Sequence, residues 1–219
     1  MEVTAATTST LRPDAGMPPS GDFALEMDNI TKRFGPVTVL KDVSVKVRAG
    51  SIHAIVGHNG AGKSTLMKIA LGAEKPTEGE VRVSGKRLTY TRPAEARDLG
   101  LGMVMQERSL IGTLNGLDNL FLNSERKNAI GLIDTERQRR EVAGLLAELG
   151  IPRSLLMATA GDMSTIEQEL IEIARALRLG SNVLVLDEPT APLGHEEIAH
   201  GVLPNVRRRL VSLVLDRVP

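Results

Sequence analysis

The sequence predicts an α/β protein with a parallel core sheet built on a phosphate loop and a helical insert between two strands. Three observations carry that expectation. Residues Gly57-His58-Asn59-Gly60-Ala61-Gly62-Lys63-Ser64-Thr65 fit the P-loop pattern G-x-x-x-x-G-K-[ST], with an apolar run before them and a helical one after. A second apolar run, Val183-Leu184-Val185-Leu186, ends in two adjacent carboxylates, Asp187-Glu188. Between these, residues 108–180 change from strand-like to helical character.

At 219 residues the chain has room for one domain, a small subdomain and a real core. Lys+Arg 27 balances Asp+Glu 27, which gives no polyanion-binding signature, and nucleic acid is not an expected partner. Without cysteine there is no disulfide framework and no thiolate metal site, which fits a cytosolic setting. No window holds about 18 apolar residues free of charge. The start carries Glu2 and no apolar segment, unlike a signal peptide. Residues 1–22, rich in Thr, Pro, Ala and Gly, read as a disordered leader.

The elements follow in order. Phe23 to Ile30 alternates well enough for a strand, and Thr31 to Pro36 reads as a turn with one aromatic, Phe34. Periodicity alone makes Phe34 a core or turn anchor. Val43, Val45 and Val47 alternate with Ser44, Lys46 and Arg48 in a half-exposed strand. Ala49-Gly50 turns into the core strand 52–56. Leu66 to Leu71 reads as a helix stopped by Gly72. Pro76 to Gly79 is a turn, Glu80 to Ser84 alternates, and Gly85-Lys86 turns again. Pro93 to Asp98 makes a short helix, and Leu101 to Met105 a buried strand ending at Gln106-Glu107.

Within the insert, Asn115 to Leu122 is a short helix and Asn123 to Gly131 a polar loop. Thr135 to Leu149 is amphipathic, with Val142, Leu145, Leu146 and Leu149 on one face, and Gly150-Ile151-Pro152 ends it. Ser164 to Leu179 is a further helix, opened by a capping box of Ser164 with Glu167. After strand 183–186, Gly194 to Leu210 is helical in pattern despite Pro204, and Val211 to Leu215 is one more core strand.

The chemistry lies where strands end. Gly57, Gly60 and Gly62 let the backbone turn tightly and bring N–H groups to an anion, and the following helix adds its positive end. Lys63 reaches the outer phosphates, Ser64 suits a magnesium ion, and Thr65 offers a second hydroxyl. In a doubly wound sheet the C-terminal strand ends face the ligand crevice. That position gives Asp187 a direct or water-mediated role on magnesium and lets Glu188 poise a water.

The phosphate loop, Gln106, Met163-Ser164 and Leu186-Asp187-Glu188-Pro189-Thr190 occur in the order of an ABC transporter ATP-binding subunit, and residues 23–193 resemble that family. Four stretches are similar to its carbohydrate-importer branch, which takes ribose, xylose or galactose: Lys32-Arg33-Phe34-Gly35, Gly60 to Ile69, Met105-Gln106-Glu107 and Glu167 to Leu177. The resemblance implies an α/β, ABC ATPase-like fold: a P-loop NTPase core sheet, an antiparallel β subdomain and a helical subdomain at about 108–180. It implies ATP and Mg2+ as cofactors. Phe34 would stack on adenine. Gly57, His58, Asn59, Gly60, Ala61, Gly62, Lys63, Ser64 and Thr65 would bind the phosphates. Ser64, Gln106 and Asp187 would serve the metal, Glu188 would be the catalytic carboxylate, and Gln106 would couple the site to the helical subdomain. Ser164 would cap the ATP of a second ATP-binding domain, in a homodimer or heterodimer. The implied partners are a transmembrane permease subunit and, indirectly, a periplasmic or lipoprotein solute-binding protein. The implied location is the cytoplasmic face of the membrane, peripherally.

The sequence departs from the family pattern in three places. Thr165, Ile166 and Glu167 replace Gly, Gly and Gln of the Leu-Ser-Gly-Gly-Gln signature. Gly194 stands where an aspartate is usual. Asp216-Arg217-Val218-Pro219 stands where a switch histidine belongs, His195 and His200 are too early to replace it, and the tail reads as truncated. The expected function is the motor subunit of a carbohydrate importer. The alternative is a nucleotide-binding subunit with weak or no hydrolysis. A GTPase would want an Asn-Lys-x-Asp guanine reader, and the sequence has none.

Overall fold

The computed structural model describes residues 23–49, 51–55, 58, 60–92, 94–104, 109–187 and 211–215. They fall into two compact units. One takes the residues up to Met103 with Ser181–Asp187 and Val211–Leu215, and the other takes Val104–Gly180. The helical segment expected at 194–210 lies outside the described residues.

The first unit holds two four-stranded sheets. In one, β1 (Phe23–Phe34) is flanked by β2 (Val37–Arg48) and β4 (Glu78–Val83), both antiparallel to it, and β5 (Lys86–Arg87) extends β4. In the other, the order is β3 (Ile52–Ile55), β8 (Val211–Leu215), β7 (Val183–Asp187), β6 (Leu101–Val104), and β8 runs parallel to both β3 and β7. The sequence pattern does not dictate this order, because it depends on contacts between residues far apart in the chain.

Two expectations are corrected. Thr31 to Phe34 is not a turn. β1 continues through it, and only Gly35-Pro36 turns, with Gly35 at φ +56°. Register shifts after Met27, Ile30 and Lys32 break the alternation that would have marked these residues as strand. Glu78 and Gly79, expected in a turn, open β4. A Cβ on Gly79 would lie 2.5 Å from the carbonyl oxygens of Asp28 and Asn29, so only glycine lets the strands approach there.

Helix α1 (Lys63–Ala70) buries Leu66, Met67, Ile69 and Ala70 in a core shared with Leu25, Met27, Ile30, Val81, Val83, Val183 and Val185. Each fully buried larger aliphatic of this set contributes roughly 1.5–3 kcal/mol. Gly72, at φ +76°, follows its C-terminus. Helix α2 (Glu95–Asp98) is a single turn.

The second unit consists of α3 (Gly116–Phe121), α4 (Thr135–Leu149) and α5 (Thr165–Arg178), joined by loops and two short 3₁₀ turns. Asn115 caps α3 and Asp134 caps α4, each accepting from a backbone N–H three residues on. Helix α4 buries Val142, Leu146 and Leu149, with Leu145 half-buried, and ends on Gly150 in the left-handed conformation. Arg178 ties the three helices together. Its guanidinium lies 4.1 Å from the Phe121 ring, donates to the Leu120 carbonyl and the Ser124 hydroxyl, and pairs with Glu141 at 3.5 Å. Among the described residues, no helix is long and apolar enough to cross a membrane.

Candidate phosphate-binding site

The loop between β3 and α1 is shaped by glycine. Gly60 sits at φ +80° and Gly62 at φ +89°, both in the left-handed region. Ala61 N–H donates to the His58 carbonyl at 3.0 Å, which closes the turn. Gly62 then serves as N-cap of α1 and supplies no side-chain cap, and no acidic residue stands in the first turn. The helix therefore starts with N–H groups and a positive end that no anionic side chain of that turn neutralises. A Cβ on Gly62 would lie 2.7 Å from Leu40 Cδ2 and 3.1 Å from the Val39 carbonyl oxygen, so the loop is seated on β2. Lys63 folds back, its Nζ 3.4 Å from the His58 carbonyl oxygen. Ser64 is exposed, and Ala61 and Thr65 are half-buried.

The strand register brings the second part of the site alongside. Leu215 of β8 pairs with Ile55 of β3 on one side and with Asp187 of β7 on the other. The ends of β3 and β7 are thus level, two strand spacings or about 10 Å apart. The end of β3, which leads toward the phosphate loop, and the end of β7 at Asp187 therefore lie at the same end of the sheet.

Phe34 ends β1 beside Val37, at the tip of the β1–β2 hairpin. It is 46% exposed and therefore not a core anchor. Lys32 Nζ lies 4.7 Å from its ring centroid while donating to Glu74 at 2.9 Å and to the Lys75 carbonyl at 2.8 Å.

Ser164 belongs to the second unit, where it is the exposed N-cap of α5. The capping box is complete. Ser164 N–H and Oγ both donate to Glu167 Oε2 at 2.8 Å, and Glu167 N–H donates to Ser164 Oγ at 3.3 Å. The backbone hydrogen bond from Ser164, and then the one from its hydroxyl, hold the Glu167 carboxyl below its ordinary range.

Gln168 is a residue that sequence reasoning missed. It is buried, and its Nε2 donates to the carbonyls of Ala160 and Met163, latching the turn that leads into Ser164. Glu172 is likewise buried and accepts from Ser109 N–H and Oγ, both at 2.7 Å. Two polar residues four apart on one helix face were the available signal.

Gly57, Asn59, Gln106 and Glu188 lie outside the described residues, and Asp187 is described only through its strand pairing. Among the described residues, no cluster of three or more His, Cys, Asp or Glu forms a metal site.

The family model described as ABC transporter matches residues 40–191. A ribose import ATP-binding protein RbsA 1 of Burkholderia thailandensis is 42% identical over 195 residues, 88% of this chain and 38% of the relative. A putative ribose/galactose/methyl galactoside import ATP-binding protein 2 of Agrobacterium fabrum is 35% identical over 216 residues, 98% of this chain and 42% of the relative. The chain thus spans less than half the length of either curated relative. Among solved structures, the ADP conformation of MJ1267, an ATP-binding cassette of an ABC transporter, aligns with TM-score 0.77 and 26% identity, covering 91% of this chain and 83% of that one.

Proposed function

The chain belongs to the ABC transporter family, and on that footing we propose that it is the ATP-binding motor domain of a carbohydrate importer. One observation carries this reading: β3, which leads into the uncapped start of α1 with Gly60 and Gly62, ends level with the acidic end of β7 at the same end of the sheet. An anion is drawn to the first, and a cation that accompanies it to the second.

The loop Gly57–Thr65 receives the phosphates, with Lys63 on the outer ones. Magnesium takes hard oxygen donors and keeps several waters, and the Ser64 hydroxyl, the Gln106 amide oxygen and the Asp187 carboxylate suit it. When bound, it neutralises charge on the phosphate oxygens. Phe34 offers its exposed ring to the adenine. Glu188 orients the attacking water, and Ser164 reaches the nucleotide of a second ATP-binding domain.

The solute class follows from the two sugar-import relatives. A transmembrane permease docks on the second unit, where Ile130 is 78% exposed and Leu132, Ile133 and Met157 are exposed as well. A solute-binding protein delivers sugar to that permease, and the chain sits peripherally on the cytoplasmic face.

Calorimetric titration with ATP and magnesium tests the core of this reading. Lys63→Ala is expected to weaken binding by about 100-fold or more, by analogy with the loss of one preorganised cationic contact. Equal affinities for the two proteins would end it.

A further inference from the structure

Phe34 does not stand alone at the hairpin tip. Lys32 Nζ lies over one face of its ring, 4.7 Å from the centroid. The Lys32 side chain is only 12% exposed, although Phe34 itself is exposed. Two contacts fix the ammonium: it donates to Glu74 Oε2 at 2.9 Å and to the Lys75 carbonyl at 2.8 Å. Glu74 is in turn held to the phosphate-loop helix, because the N–H groups of Ala73 and Glu74 both donate to the Lys68 carbonyl of α1. A continuous run of contacts thus leads from α1 through Glu74 and Lys32 to the Phe34 ring. From this geometry we propose that Lys32 is a positioning residue for a purine base: it clamps the ring to α1 and reserves the opposite ring face for stacking. The proposal rests on Phe34 being the adenine contact, as proposed above.

Two physical effects act through the ring. Ordering a free surface side chain when a ligand arrives costs binding free energy, and a ring already held by a fixed cation avoids that cost. The cation also acts on the charge of the ring. An aromatic face is negative and repels the face of a base laid flat on it. An ammonium on the far side draws ring electrons toward itself and lessens that repulsion. The attachment of the tip does not depend on Lys32. Thr77 N–H donates to the Thr31 carbonyl at 2.8 Å, Arg33 N–H donates to Thr77 Oγ1 at 3.0 Å, and Arg33 pairs with Glu78 at 2.6 Å. A Lys32 variant therefore keeps the hairpin tied to the segment that follows α1.

The test is calorimetric titration of the full chain with ATP and with inorganic tripolyphosphate, both in magnesium; the second has the phosphates and no base. Lys32→Met keeps the apolar stem and loses the charge. It is expected to bind ATP about fivefold more weakly than the parent and tripolyphosphate equally well. In a Phe34→Ala background, Lys32→Met should cause no further loss, because the two side chains act as one unit. A loss shared equally by ATP and tripolyphosphate, a loss that persists without the Phe34 ring, or no loss at all overturns the proposal. If Lys32→Met binds ATP like the parent while Phe34→Ala binds it more weakly, the positioning role falls and the stacking ring stays. If Phe34→Ala also binds ATP like the parent, the adenine contact falls with it.

Discussion

Alanine at Gly62 should damage the phosphate loop far more than alanine at Gly60, although both glycines have positive φ. Gly60 stands at φ +80° with no atom of the described residues within 4 Å of where a Cβ would sit, so Gly60→Ala meets only the left-handed penalty, about 1–2 kcal/mol. Gly62, at φ +89°, meets the same penalty and a collision, since Leu40 Cδ2 would be 2.7 Å from the new carbon. Leu40 is 1% exposed and has no room to swing away, so overpacking adds about 1–3 kcal/mol. The total for Gly62→Ala is about 2–5 kcal/mol, a large share of the roughly 5–15 kcal/mol by which most domains are stable. Urea unfolding of the two variants reads the difference directly, and titration with magnesium and ATP shows whether affinity falls in the same order. A Leu40→Ala background supplies the cycle: with the obstructing methyl gone, Gly62→Ala should cost less than it does in the parent, while the Val39 carbonyl oxygen, 3.1 Å from the new Cβ, keeps it above Gly60→Ala. Variants of equal stability, or strict additivity with Leu40→Ala, would refute the claim that the loop is seated on β2.

Three other outcomes are expected. Phe34→Ala should lose about tenfold in ATP affinity while Phe34→Tyr keeps it, since stacking is worth about 0.5–1.5 kcal/mol beyond area burial; equal calorimetric affinities would remove Phe34 from the site. Glu141 accepts from Arg126 Nε at 2.6 Å and from its second nitrogen at 2.8 Å, and that hydrogen bonding holds its carboxyl below the ordinary value. A depressed folded-state pKa gives stability that is complete above the ordinary carboxylate range and lost as pH falls through the folded value. Glu141→Gln should therefore be less stable than the parent at about pH 7, by no more than about 1 kcal/mol given solvent screening, with the curves converging below about pH 4; a gap that persists to about pH 2 would contradict this. A photo-crosslinker at Ile130 or Leu132 should capture the membrane partner, and links formed only from residues 190–219 would show that docking lies elsewhere.

Local signals were legible where the chain itself supplies both partners of an interaction. The span of α4, 135–149, follows from its apolar spacing and from Gly150, and the capping box of α5 needs only Ser164 and Glu167. What escaped depends on distant residues. Thr31 is buried and polar, with Oγ1 accepting from Asp42 N–H, so the far half of β1 resembles a turn until β2 is in place beside it. Gly79 resembles a turn residue because the backbone it must let past, Asp28 to Asn29, lies about 50 residues earlier. The exposure of Phe34 is a property of the hairpin tip, and hydrophobicity alone places the ring inside. The phosphate-loop pattern was legible as a motif, yet its contact with Leu40 was not.

The position of β8 has a consequence for biosynthesis. β3 and β7 do not touch in this sheet; each pairs with β8, whose residues follow those of β3 by roughly 160 positions. A nascent chain leaving the ribosome completes the phosphate loop and then the acidic strand while the piece that must join them is still being translated. Until it arrives, two apolar strands present open hydrogen-bonding edges, the kind of surface that recruits chaperones or pairs with a neighbouring chain. Chain closure here is a long-range event, which slows folding. The level alignment of Ile55 and Asp187 therefore depends on the strand of the three that is synthesised last.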